Sequence, residues 1–222
     1  MNSGPTQMAE NRGVDELLKE TEVGQVIAEN KKLVISLVVL ILLGVIGWGV
    51  YSSKQKSSYD AQATKLYQFS STTYKDWLAE KVKTPEMISL YRKVSSEVAS
   101  FPGLFPFALE MSDQLIEKGM FNDAKEVLAS LKVEGELQKI FLSFRNAVVY
   151  EELGEYDQAI KTLESVLGSK LKLMESRVYL DLGRYYLKAD NKEKARQNFE
   201  HVISTFERTE ESKLAKLYLS QM

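Results

Sequence analysis

The pattern of apolar and polar positions changes character several times along the chain. Residues 1–13 (MNSGPTQMAENRG) are small and polar with no apolar period, which predicts disorder. From Val14 the positions Val14, Leu17 and Leu18, then Val26 and Ile27, fall at helical spacing with an interruption near Gly24. They predict a short amphipathic helix that lies on a membrane surface, has no particular role, or docks onto a membrane partner. Residues 33–51 (LVISLVVLILLGVIGWGVY) then carry no charge, and their polar members are Ser36 and the closing Tyr51. As a helix this run extends roughly 28 Å, about the thickness of a bilayer's hydrocarbon core.

Lys31 and Lys32 close one end of the apolar run and Lys54 and Lys56 the other, with Trp48 and Tyr51 where amphipathic rings favour the headgroup layer. A buried core helix is the alternative, but soluble cores seldom need so long a run without a charge. A cleaved signal peptide is a further alternative, with Val50 and Ser52 as a loose small-residue site. The length of the run, and an acidic 32-residue tail before it, argue for an uncleaved anchor that spans once. Arg12, Lys19, Lys31 and Lys32 precede it, against Lys54, Lys56 and Lys65 shortly after. By the positive-inside rule that split leaves the side undecided, leaning to a cytoplasmic N-terminus.

Beyond the span, SSKQKSS reads as a polar exit. Residues 59–82 then read as a helix with Ala63, Leu66, Tyr67, Tyr74, Trp77 and Leu78 available for packing. Thr84 is placed to cap the next helix, Pro85 suits its first turn, and Phe101-Pro102-Gly103 stops it near Ser100. An internal repeat follows. GMFNDAKEVLASL, GEYDQAIKTLESV and DNKEKARQNFEHV align Ala124, Ala159 and Ala195, at spacings of 35 and 36 residues. Five positions earlier stand Gly119, Gly154 and Asp190, each able to turn the chain between two helices. Upstream, Ser112, Ala147 and Gly183 recur in register, followed three later by Leu115, Tyr150 and Tyr186. Small residues let two antiparallel helices approach, larger ones fill the seam, and each pair needs neighbours to bury its face.

These offsets resemble the tetratricopeptide repeat. The aromatic that family carries early in its first helix is here Ala108, Ser143 and then Tyr179, and its closing proline is Glu136, Leu171 and Glu207. Together the apolar run and the resemblance predict an all-α chain: one N-terminal transmembrane helix, read from the run, then a tetratricopeptide-like antiparallel helical solenoid, which the resemblance implies, with a generic antiparallel bundle as the alternative. Its predicted parts are a tail (1–32), the span (33–51) and a juxtamembrane helix (52–69). A degenerate repeat (70–102), repeats at 105–138, 140–173 and 176–209, and a capping helix (210–222) follow, in which Leu214, Leu217 and Tyr218 cap the stack. The family frame also places Leu109, Asp113, Phe144, Val148, Leu180 and Arg184 on a concave partner-binding groove. Leu109, Phe144 and Leu180 would form an apolar stripe there for a segment of another protein; the alternative is that they pack inside the superhelix.

Composition narrows the function classes. Residues 52–222 carry 25 Lys/Arg and 25 Asp/Glu, so no basic surplus exists to neutralise phosphates, and nucleic acid is not a predicted partner. Cysteine is absent, which fits an oxidising compartment and the cytosol equally. The single histidine, His201, reads as a surface or seam residue, and no HExxH, CxxC, GxGxxG or GxxxxGK[ST] occurs. The pairs Glu151-Glu152 and Glu210-Glu211 point apart on a helix. The sequence therefore predicts no catalytic, cofactor or metal site.

The order of parts, with VIAENKK at residues 26–32, Gly47-Trp48 near the end of the span and Phe101-Pro102 before the first clear repeat, resembles the YfgM family, the ancillary subunit of the bacterial Sec translocon. That resemblance implies an inner-membrane, non-enzymatic adaptor with its tail in the cytoplasm and its repeats in the periplasm. It implies protein partners: Sec translocon subunits, a membrane-anchored periplasmic chaperone and exported client chains. The alternatives are a structural or assembly subunit of an envelope complex for cell division or secretion, or a regulatory membrane scaffold.

Overall fold

The computed structural model describes residues 30–222. The predicted disordered segment and the tail helix through Val14, Leu17, Leu18, Val26 and Ile27 lie outside the described residues. The chain divides into two units between Tyr59 and Asp60.

The first unit is built on helix α1, which begins at Lys31 and runs on to Phe69. The sequence predicts a polar exit at SSKQKSS within a juxtamembrane helix over 52–69, and α1 passes through SSKQKSS as one continuous helix. Ser, Lys and Gln supply no breaker, and no Gly or Pro occurs between Gly49 and Pro85. Leu37, Leu40, Leu43, Ile46 and Trp48 are all exposed, so the apolar surface goes right round the helix. Ser36 Oγ donates to the Lys32 carbonyl at 2.8 Å, keeping that polar group satisfied within the helix. Among the described residues this is the one helix long and apolar enough to cross a membrane, by length and composition.

The second unit is helical throughout. α1 ends in a π-helical turn, Ser70–Tyr74, which leads into the short α2, Lys75–Leu78. The wider turn shifts the buried face relative to a regular helix. Leu66, Phe69, Tyr74 and Trp77 go inward, whereas Tyr67 and Leu78, predicted to pack, are exposed. α3 follows at Thr84–Glu97, with Lys83 rather than Thr84 at the cap position. Thr84 Oγ1 instead accepts from Trp77 Nε1 at 3.0 Å and donates to Met120 Sδ at 3.2 Å. Three helix hairpins come next: α4, Leu104–Glu117, with α5, Phe121–Ala129; α6, Glu136–Glu152, with α7, Tyr156–Leu167; and α8, Glu175–Lys188, with α9, Lys192–Thr205. The last helix, α10 (Glu210–Ser220), packs on α8 and α9.

Each hairpin turns through the same device. Met120 N donates to Leu115 O at 2.8 Å and Gly119 N to Ile116 O at 2.9 Å, the paired bonds of a Schellman turn. Glu155 and Gly154 repeat it after α6, and Asn191 and Asp190 after α8. Gly119, Gly154 and Asp190 have φ of 72°, 73° and 59°, the left-handed conformation the turn needs. A fourth copy, invisible in the sequence, follows α2: Lys81 N bonds Asp76 O, Glu80 N bonds Trp77 O, and Glu80 has φ 59°. Glutamate pays a left-handed penalty of roughly 1–2 kcal/mol that glycine avoids. Glu80→Gly should therefore raise the melting temperature of the full chain in detergent by about 2–4 °C. A fall would show that the position is unstrained.

Two apolar clusters hold the stack. One runs from the end of α1 to α5 and includes Val149; the other runs from Ile140 and Ala147 to Ala215. α6 thus contributes to both. Ala124, Ala159 and Ala195 are buried in the hairpin seams, as are Ser112, Ala147 and Gly183 on the facing helices. α10 departs from its predicted role. Ser212 and Ala215 face inward and Tyr218 stacks on Phe199 at 5.1 Å between centroids, which leaves Leu214 and Leu217 exposed. Small residues let α10 lie close, and that rotation carries the two leucines to the far side.

Candidate protein-binding groove

The first helices of successive hairpins, α4, α6 and α8, carry the six residues predicted for the groove. The structure separates them. Leu109 is 8% exposed and Leu180 2%, so both belong to the core and not to a surface stripe. Their side chains turn into the clusters on α4 and α8, whereas Phe144, their counterpart on α6, stays half-buried at an opening between helices. The apolar stripe therefore runs along one helix and not across three. Leu137 (47% exposed), Phe141 (40%), Phe144 and Val148 (39%) follow one another at three- and four-residue spacing on α6. Sequence reasoning found Phe144 and Val148 but missed Leu137 and Phe141, although their helical period was there to be read.

Two openings flank this stripe. On the α4 side a cavity of about 340 Å³ is lined by Asp113, Ile116, Glu117, Phe144, Arg145 and Val148. Within this lining Arg145 makes a two-pronged bond to Asp113, Nε to Oδ1 at 3.2 Å and Nη2 to Oδ2 at 3.1 Å. On the α8 side a second cavity, also about 340 Å³, is bounded by Phe141, Phe144, Val148, Met174, Arg177 and Asp181. Met174 sits in the left-handed conformation, φ 56°, at the end of the longest linker between hairpins. That linker is pinned back to α6 by Glu136, whose carboxylate accepts from the backbone amides of Lys170 and Leu171.

Arg184 is held in an ion cluster between α6 and α8. It bonds Glu151 at 2.5 Å and Asp181 at 2.6 Å, while Arg177 holds Asp181 at 2.7 Å and Lys188 holds Glu151 at 2.9 Å. Burial alone would lower the Arg184 guanidinium, but the Glu151 and Asp181 carboxylates outweigh it and raise its pKa. Burial, with the same two carboxylates, also raises the neighbouring Tyr185 phenol. The cluster is a structural lock between the second and third hairpins. His201 packs against Tyr179, centroids 4.1 Å apart, and edge-on to Phe206. Among the described residues no group of three His, Asp or Glu side chains is placed to hold a metal ion.

Stacked helix hairpins with a recurrent turn, small residues in the seams and an open apolar face define a helical repeat protein of the protein-interaction class. The model of the tetratricopeptide repeat-like domain family matches residues 26–222, and the chain belongs to that family. Such domains typically mediate protein–protein contacts rather than catalysis. No curated relative and no solved structure matches the chain.

Proposed function

We propose that the chain is a membrane-anchored, non-enzymatic adaptor of the YfgM type, which associates with the protein-export translocon and a periplasmic chaperone to assist exported proteins. The observation that carries the reading is the apolar stripe of exposed Leu137, Phe141 and Val148 with half-buried Phe144, flanked at its Phe144–Val148 end by two open cavities on an interaction-class scaffold. An exposed apolar face of this kind favours a protein ligand over solvent. The all-round apolar character of α1 supports a single anchor. The resemblance of the sequence supports a cytoplasmic tail with residues 52–222 in the periplasm, and the four-to-three lysine and arginine split only leans to the same side for the tail. Exposed Leu214 and Leu217 on the terminal helix favour a second reading, a fixed subunit of an envelope assembly.

A membrane-impermeant crosslinker applied to spheroplasts tests the proposal. It should label residues 52–222, capture translocon subunits and exported chains, and leave an epitope at residue 5 on the full-length chain. Phe144→Ala should weaken that capture by ~1–2 kcal/mol, as for an interface aromatic, without the ~3–5 kcal/mol stability loss of a core phenylalanine. An unlabelled repeat domain would overturn the topology, and loss of the epitope would mean a cleaved leader. Recovery of one fixed complex would select the second reading.

A further inference from the structure

We infer that the α6 stripe receives a cationic amphipathic segment of another protein, its apolar face on Phe141, Phe144 and Val148 and its basic edge along α4. The inference deepens the adaptor reading and rests on it. The stripe from Leu137 to Val148 spans roughly 17 Å of helix, the length of about three turns, which suits a helix laid into a groove. Charge then decides what kind of helix. α4 exposes Glu110, Asp113 and Glu117 at spacings of three and four, one face of the helix, and Asp113 and Glu117 border the same cavity as Phe144 and Val148. Glu110 and Glu117 are met by neutral donors, Tyr74 Oη and Gln114 Nε2, each at 3.4 Å.

The cations on the opposite wall are balanced within the domain: Arg177, Arg184 and Lys188 on α8 share the carboxylates of Asp181 and Glu151, Glu211 lies beside Arg177 at the same cavity, and Arg145 bonds Asp113. What remains at the apolar stripe is the negative border of Glu110 and Glu117, Asp113 being paired with Arg145, and it attracts a basic segment and repels an acidic one. The chain's own residues 1–29 carry six Asp/Glu against two Lys/Arg, so like charge disfavours this tail as the occupant and points to a partner in trans. Glu152, exposed one turn beyond Val148, extends the negative border.

The test uses the full chain in phosphatidylcholine nanodiscs, with empty discs subtracted, and amphipathic peptides of about eighteen residues built from leucine with lysine or leucine with glutamate. A photocrosslinking benzoylphenylalanine at position 141 reads contact directly. The lysine peptide should bind about tenfold tighter than the glutamate peptide, lose affinity as salt is raised, and crosslink at 141. The double substitution Glu110→Lys and Glu117→Lys, both at exposed positions, should reverse the preference at unchanged melting temperature. Equal affinity for the two peptides, tighter binding of the glutamate peptide, or crosslinking at 141 to a second copy of this chain overturns the inference. If the preference is absent while Phe144→Ala still loses partners in native membranes, the adaptor reading stands and the charge rule falls.

Discussion

Arg184→Ala should destabilise the repeat domain by ~3 kcal/mol, the scale for removing one partner from a buried ion pair. Glu151 and Asp181 have side chains only 9% and 8% exposed, and both depend on this guanidinium. The exposed Arg177 and Lys188 remain to pair with them and soften the loss, which places the effect at the lower end of the range for buried pairs. Thermal unfolding of the full chain in detergent should show a drop of about 10 °C. Lys188→Ala, removing a half-exposed lysine from the same cluster, should change little, since surface pairs contribute about 0–1 kcal/mol. Equal effects from the two substitutions would show that the cluster lies at the surface and locks nothing.

Gly183→Val should cost as much or more, for a steric reason. A Cβ built on Gly183 would lie 2.4 Å from Cε1 and 2.6 Å from Cδ1 of Phe199. Phe199 has nowhere to retreat: it is fully buried and its ring is stacked against Tyr218, 4° from parallel. Overpacking of a tight seam commonly costs ~1–3 kcal/mol, and a branched side chain against an immobile ring sits at or above the top of that range. The double variant Gly183→Val/Phe199→Leu should recover part of the loss, because the two changes share one space and are not additive. Additive losses would mean that α8 and α9 separate without regard to this contact.

The hairpin frame was legible because its signals are local. Gly119, Gly154 and Asp190 advertise a left-handed turn in their own chemistry, and Ala124, Ala159 and Ala195 mark close approach by carrying only a methyl group. The turn at Glu80 escaped notice since glutamate carries no such signal, and the neighbouring structure imposes the conformation on it. The π-helical turn at Ser70–Tyr74 escaped for a similar reason: nothing in SSTTY announces the wider turn that sets buried Phe69 and buried Tyr74 five residues apart.

The candidate site was half legible. Asp113, Phe144 and Val148 come together at one cavity as the repeat frame placed them, but Leu109 and Leu180 are core residues and Arg184 is held in an ion cluster. Equivalent positions in successive repeats need not share an environment, because each hairpin meets its neighbour at its own angle and distance. By itself the sequence determined the helical class, the period, the turns at Gly119, Gly154 and Asp190 and the all-round apolar run, each a matter of spacing and side-chain chemistry within a few turns of one chain. Only the tertiary structure decided which apolar side chains stay outside, since exposure on α6 depends on where α4 and α8 stop, and no local pattern encodes a distance between helices.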